Sequence, residues 1–286
     1  MSGDGVTPRP ETVLIAGCGD LGRRVGMLLA ESGQRVLGLR RRGAQMPAGI
    51  EPLVCDLASG VPHVPPVDRA VFCAAPDDGS VQAYQSVYGV AFGNLLRALC
   101  AQARLPTRVL LVTSTRCFAQ NDGGWVDEES PVTARDAQTQ ALLDAEAGLR
   151  SSGLPGVVLR SAGLYGAGEG PLLRRLRQGE AVCPAGPPRW TNRLHRQDAA
   201  RAVVHLLALA DPAPLYLGVD AEPADQATLL RELAKMCGVP APPTRELPRA
   251  DVNRRCSGRR LLESGFRLIY PGWRDGYAAL IGSGQR

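Results

Sequence analysis

The chain has 286 residues, 44% of them hydrophobic, and a formal charge of +5, which suits an α/β domain with a sizeable core and a smaller appendage. Its arginines are spread along the chain, Lys235 is the one lysine, and no aromatic ladder accompanies them, so the charge does not point to nucleic acid. No apolar run nears the ~18 residues of a membrane helix. The polar stretch Met1 to Glu11 has no signal-peptide or presequence character. Eight scattered cysteines without a CxxC pair read as free thiols of a reducing cytoplasm rather than as metal ligands.

The first predicted unit is Val13 to Leu39. The apolar run Val13-Leu14-Ile15-Ala16 is followed by Gly17, Gly19 and Gly22, then by an amphipathic segment with Val25, Leu28 and Leu29 on one side. Gly33 closes that segment, and Val36 to Leu39 is apolar again. The order is strand, glycine turn, helix, strand. A dinucleotide pyrophosphate needs this order. Gly17 permits the turn, Gly19 lets backbone N–H groups approach the phosphates, and Gly22 lets helix and strand pack closely. Asp20 and Leu21 fall at the helix start, whose partial positive charge favours an anion.

Arg40-Arg41-Arg42 follows the second strand, where an NAD site usually places an acid on the ribose. Arg40 and Arg41 suit the 2′-phosphate of NADP, which is favoured here over NAD. A solvated basic loop is the competing reading. Leu53 to Leu57 reads as a third buried strand, with Asp56 and Leu57 at the adenine edge. Arg69 to Ala75 reads as a fourth, whose end, Ala74-Ala75-Pro76, lets the cofactor lie against backbone. Gly79 to Ala103 carries a helical pattern with Val87, Val90, Ala91, Leu95, Ala98 and Leu99 as its core face. Asn94 is either a buried polar contact or exposed, and Tyr84 and Tyr88 are read as packing. Arg108 to Val112 is a fifth strand, with the hydroxyls of Thr113, Ser114 and Thr115 at its carboxyl end.

Several segments together resemble a known family. They are the glycine fingerprint, Thr113-Ser114-Thr115-Arg116-Cys117-Phe118, Asp127-Glu128-Glu129-Ser130-Pro131 and Leu159-Arg160-Ser161-Ala162-Gly163-Leu164-Tyr165-Gly166. In order and spacing the chain is similar to the extended short-chain dehydrogenase/reductases of the NAD-dependent epimerase/dehydratase type. Asn192 to Asp198 and Asn253 to Ser257 match its atypical, YeeZ-like members. The resemblance implies a Rossmann fold, a doubly wound parallel sheet over residues 1–166 with 195–220 returning to it. It also implies a small C-terminal substrate-binding domain from 167–194 and 221–286. In the family a serine at the place of Ser114 hydrogen-bonds the reacting oxygen, and a YxxxK motif on the next helix supplies tyrosine and lysine. Here those two positions fall at about Gln138 and Leu142. No tyrosine lies between Tyr88 and Tyr165, and no lysine precedes Lys235.

Proton transfer at neutral pH needs a titratable group within hydrogen-bond reach, so another group must act if hydride transfer occurs. The candidates are Tyr165, at the carboxyl end of a sixth strand, His195, and one of Asp127, Glu128 or Glu129. The three acids also read as a solvated loop, and His195 as a hydrogen-bonded residue at a domain junction. Thr115, Arg116, Arg160, Asn192, Arg193, His195 and Arg254 are assigned to the substrate pocket. The expected function is an NADP-dependent oxidoreductase acting on a carbonyl or secondary alcohol of a small polar or anionic molecule, working as a monomer or homodimer. The alternatives are a silent NADP-binding sensor or scaffold, and an epimerase or dehydratase of a sugar-like substrate.

Overall fold

The computed structural model describes residues 9–283 except 44, 167, 169 and 249–251, so Met1 to Pro8 of the polar N-terminal stretch lie outside the described residues. In chain order the elements are β1 (Thr12–Ala16), α1 (Asp20–Glu31), β2 (Arg35–Arg40), β3 (Ile50–Val54), β4 (Arg69–Phe72), α2 (Val81–Tyr84), a π-helical segment (Gln85–Ala91), α3 (Phe92–Cys100), β5 (Arg108–Ser114), β6 (Trp125–Val126) and α4 (Ala137–Ser151). There follow β7 (Gly156–Ser161), β8 (Gly163–Tyr165), α5 (Gly170–Arg177), β9 (Cys183–Pro184), β10 (Trp190–Thr191), β11 (Arg193–His195), α6 (Arg196–Ala208) and β12 (Leu215–Gly218). The last are β13 (Ala224–Asp225), α7 (Gln226–Cys237), β14 (Thr244–Arg245), β15 (Arg255–Cys256), α8 (Arg259–Glu263) and α9 (Trp273–Ser283). Seven strands form one parallel sheet in the order β12-β7-β5-β4-β1-β2-β3. The step from β1 to its two neighbours, β2 and β4, is the reversal of a doubly wound Rossmann sheet. Among the described residues no helix is long and apolar enough to cross a membrane.

The chain divides into two compact units, one running to Leu111 and including Asp144–Gly156, the other Val112–Leu143 with the chain from Val157 on. In the first, β1 is buried along its whole length, as befits the centre of a parallel sheet. Val25 and Leu29 of α1 are buried. The third strand departs from expectation. It is Ile50–Val54 rather than Leu53 to Leu57, and Val54 is 58% exposed. It pairs with β2 alone, and an edge tolerates Pro52, which has no N–H to give a second neighbour.

The long helix also departs from it. Leu95 and Leu99 are fully buried and Ala91 and Ala98 nearly so, but Val90 is 48% exposed. The π-helical segment adds a residue to the turn and moves the face that 3.6-residue spacing assigns to the core. Tyr88 takes the inward place, buried against Phe72 with ring centroids 6.4 Å apart. Asn94 is buried, and its Nδ2 donates to the Leu57 carbonyl at 2.6 Å.

In the second unit α7 starts where Asp225 accepts the Thr228 N–H at 3.0 Å and stops at Gly238 with φ 67°. Its Leu229, Leu230 and Leu233 pack with Leu173 and Leu176 of α5 and with Trp273, Tyr277 and Ile281 of α9. Glu128 corrects the reading of Asp127 to Glu129 as a solvated loop. Its side chain is 3% exposed, and its Oε1 accepts the Leu217 N–H of β12 at 2.8 Å.

The phase shift in the long helix predicts that Val90→Ser changes stability by no more than about 0.5 kcal/mol. Leu95→Ala, five residues on, costs about 2–5 kcal/mol. Urea denaturation of the two variants measures the difference.

Candidate functional site

The dinucleotide cradle lies in the first unit. Gly17 and Cys18 both donate to the Leu39 carbonyl, at 3.1 and 3.0 Å, which pins the turn to the end of β2. Gly17 has φ +88°, and a Cβ there would meet the Ala74 nitrogen at 2.2 Å. At Gly22 a Cβ would meet the Gly17 carbonyl oxygen at 2.7 Å, whereas Gly19 is open, with nothing nearer than 3.9 Å. Gly19 is also the N-cap of α1 and supplies no side-chain cap, so the first-turn N–H groups are left to a ligand. Asp20 and Leu21 stand in that turn. The shape fits a pyrophosphate. Asp56 turns its Oδ1 to the Ala58 N–H at 2.9 Å. Ala74, Ala75 and Pro76 follow β4 after Cys73. Arg40 is half-buried at the end of β2, and exposed Arg41 pairs with Asp77 at 2.5 Å.

The Ser114 turn lies in the second unit. Thr113 is buried. The Ser114 Oγ accepts the Arg116 N–H at 3.2 Å, and the Thr115 hydroxyl bonds the Cys256 sulfur. The Arg116 guanidinium reaches Asp136 at 2.6 Å, and Asp136 accepts both the N–H and the hydroxyl of Thr139 at 2.7 Å. Burial alone would raise the Asp136 carboxyl, but Arg116 and Thr139 outweigh it and hold it at about 2. Arg116 is thereby committed to the start of α4. On that helix Leu142, at the position of the family lysine, is fully buried.

Tyr165 is not on the sixth sheet strand. It ends the short strand β8, which pairs with β11 so that Tyr165 lies opposite His195. Its ring stacks on Tyr277 with centroids 4.5 Å apart and meets His195 edge-on at 5.2 Å. Its hydroxyl, closed over by Gly276, is buried without a partner. Burial, then the Asp220 carboxylate, pushes the phenol well up. His195 caps α6, with Nδ1 accepting the Gln197 N–H at 3.3 Å, and its ring lies 4.1 Å from that of Tyr270. Arg193 bonds Thr191 at 2.7 Å and faces Asp220 and Tyr277.

Asp220 has no motif around it and was not singled out from sequence. Its Oδ1 accepts the Glu222 N–H at 3.1 Å, and its Oδ2 is buried without a partner. Burial, reinforced by Asp198 and opposed by Arg193, raises it to about 8. It lines a groove of about 520 Å³ with Trp125, Cys256, Ser257, Arg259 and Arg267.

Asn192 serves the backbone: its Nδ2 donates to the Arg254 carbonyl at 3.0 Å, and its Oδ1 accepts the Cys256 N–H at 2.8 Å. Arg160 is buried over the Phe118 ring, 5.2 Å from its centroid. Arg254 is 1% exposed and donates from Nη1 to the Phe118 carbonyl. Ser114, Thr115, Arg160 and Arg254 therefore belong to one cluster, and Tyr165, Arg193 and His195 to another. Among the described residues no group of three or more potential metal ligands occurs.

Known proteins share this fold. A Methylobacillus flagellatus structure described as an NAD-dependent epimerase/dehydratase is 33% identical, with TM-score 0.78, over 97% of this chain and 100% of its own. The chain belongs to the NAD-dependent epimerase/dehydratase family. Its fold and the shape of its glycine cradle fit a nicotinamide dinucleotide. The human epimerase family protein SDR39U1, solved with NADPH, shares the fold with TM-score 0.77 at 21% identity over 95% of this chain and 99% of its own. A Streptomyces 3-diazoavenalumate denitrifying reductase is 31% identical over 194 residues, 58% of this chain and 63% of that protein. The match thus spans less than two thirds of that curated relative. No family model matches.

Asp220 gives the second unit a pH dependence. A carboxyl raised to about 8 when folded holds a proton that the unfolded chain has released by about pH 4. Stability relative to Asp220→Asn therefore falls as pH rises from about 4 to about 8, then levels. Thermal denaturation of both proteins across that range measures it.

Proposed function

We propose that the chain is an NADP(H)-dependent reductase of a small polar or anionic molecule. The observation that carries this reading is the Gly17 to Gly22 cradle pinned to a strand ending in Arg40 and Arg41. The relation to a curated reductase supports the direction of the chemistry. The cofactor, when bound, supplies hydride. Ser114 accepts from its own turn, so its hydroxyl proton is free to point at a substrate oxygen. The Tyr165 hydroxyl is closed over by Gly276 and belongs to the other cluster, so in this reading water supplies the proton to the reduced oxygen. Arg40 and Arg41 hold the 2′-phosphate, with Arg41 exchanging Asp77 for it.

A second reading is favoured by Gln138 and Leu142. The Streptomyces relative is, by its name, a reductase that removes nitrogen from a diazo compound. Hydride added to the diazo-bearing carbon of an aryl diazonium forms the C–H bond, and N2 departs with the electrons of the broken C–N bond. That balance needs no proton, and so no tyrosine and lysine on α4.

Arg40→Glu combined with Arg41→Glu is expected to weaken NADP about a hundredfold more than NAD in fluorescence titrations; equal losses would remove the 2′-phosphate assignment. NADPH oxidation, followed with a panel of ketones and aldehydes and with aryl diazonium ions, separates the two reaction classes. With a carbonyl substrate Ser114→Ala lowers kcat by about a hundredfold and spares cofactor affinity. With a diazonium it leaves kcat unchanged.

A further inference from the structure

Arg254 is, among the described residues, the largest charged side chain in the fully buried set. Its Nη1 is used by the Phe118 carbonyl, while Nε and Nη2 are buried with no hydrogen-bond partner. Nε–H and the neighbouring Nη2–H point to the same side of a guanidinium and form the fork that grips both oxygens of a carboxylate. Among the described residues that edge is used twice elsewhere. Arg35 holds Glu51 through Nε and Nη2 at 2.9 and 2.7 Å, and Arg274 holds Glu232 at 2.7 and 2.6 Å. At Arg254 no acid among the described residues takes it.

The charged and titratable neighbours do not compensate the cation. They are Arg135, of like sign, and the thiols of Cys117 and Cys256. Burial and then Arg135 pull the guanidinium down to about 10. A buried charge without a counter-ion is costly, yet the backbone at Arg254 and Cys256 is clamped by the two Asn192 hydrogen bonds. The other side of the guanidinium, at Nη1, faces the segment that follows the Ser114 turn. Arg254 holds the carbonyl of Phe118, four residues after Ser114, and Cys256 bonds Thr115.

We propose that Arg254 is the carboxylate anchor of the substrate site, taking both oxygens of a substrate carboxylate on its Nε–Nη2 edge. Assigning that carboxylate to a substrate rests on the reductase reading above; binding itself does not. Both N–H groups lie beneath the surface, so the ligand reaches them through local opening.

Calorimetric titration of the full chain, with and without saturating NADP, tests this with benzoate, its neutral isostere benzamide and inorganic phosphate. Benzoate is expected to bind at least about tenfold tighter than benzamide and tighter than phosphate. Arg254→Gln should abolish the preference for benzoate over benzamide. Arg254→Lys, which keeps the charge without the fork, should retain only part of it and gives the comparison if the glutamine variant does not fold. Equal binding of benzoate and benzamide, or a preference unchanged in both variants, overturns the proposal. Tighter phosphate binding overturns the carboxylate assignment. Failure of NADP to bind while benzoate discrimination persists overturns the reductase reading alone.

Discussion

The backbone of Gly17 lies against the backbone of Ala74, a contact open only to a residue without a Cβ. Three strand ends are brought together by it. The turn leaves β1, its N–H groups are held by Leu39 at the end of β2, and the approach to Ala74 fixes the segment after β4. Once these are fixed, α1 begins with Gly19 as its cap and presents N–H groups with no side chain in front of them. The close packing of Gly22 under the Gly17 carbonyl carries the constraint into the helix. The fit of the cradle to a pyrophosphate is thus a property of main-chain shape.

In the second unit the polar residues sort by what already satisfies them. Arg116 is spent on Asp136, Asn192 on the backbone of Arg254 and Cys256, and His195 on the start of α6. Such groups set geometry and have little left to offer a ligand. Ser114 retains its hydroxyl proton and Arg254 one edge of its guanidinium. The Tyr165 hydroxyl is equally unspent but is buried against Gly276 of α9, with its ring stacked on Tyr277, where its ionised form is disfavoured.

What was legible in the sequence follows the range of the forces involved. The order β1, turn, α1, β2 was readable because the steric demand of Gly17, Gly19 and Gly22 acts within a few residues. The cap of α7 by Asp225 and its stop at Gly238 act over the same short range. Val90 was misplaced because a π-helical turn leaves no signature in hydrophobic spacing. The third strand was misplaced because only its position at the sheet edge lets Pro52 belong to it. The burial of Tyr165 is decided by Tyr277 and Gly276, and the isolation of Arg254 by Phe118, 136 residues earlier. No local pattern announces such partners, and Asp220 escaped notice because its surroundings are assembled from β8, β11 and α6.

The guanidinium of Arg255 lies between two indoles, 5.1 Å from the ring centroids of both Trp125 and Trp190. The chain has three tryptophans, and the third, Trp273, is buried in the α7–α9 core. Two of the three intrinsic fluorophores therefore flank the residue next to Arg254. Any rearrangement of that strand changes a cation's distance from two indole faces at once, which gives the molecule a built-in optical gauge of β15, against the constant background of Trp273.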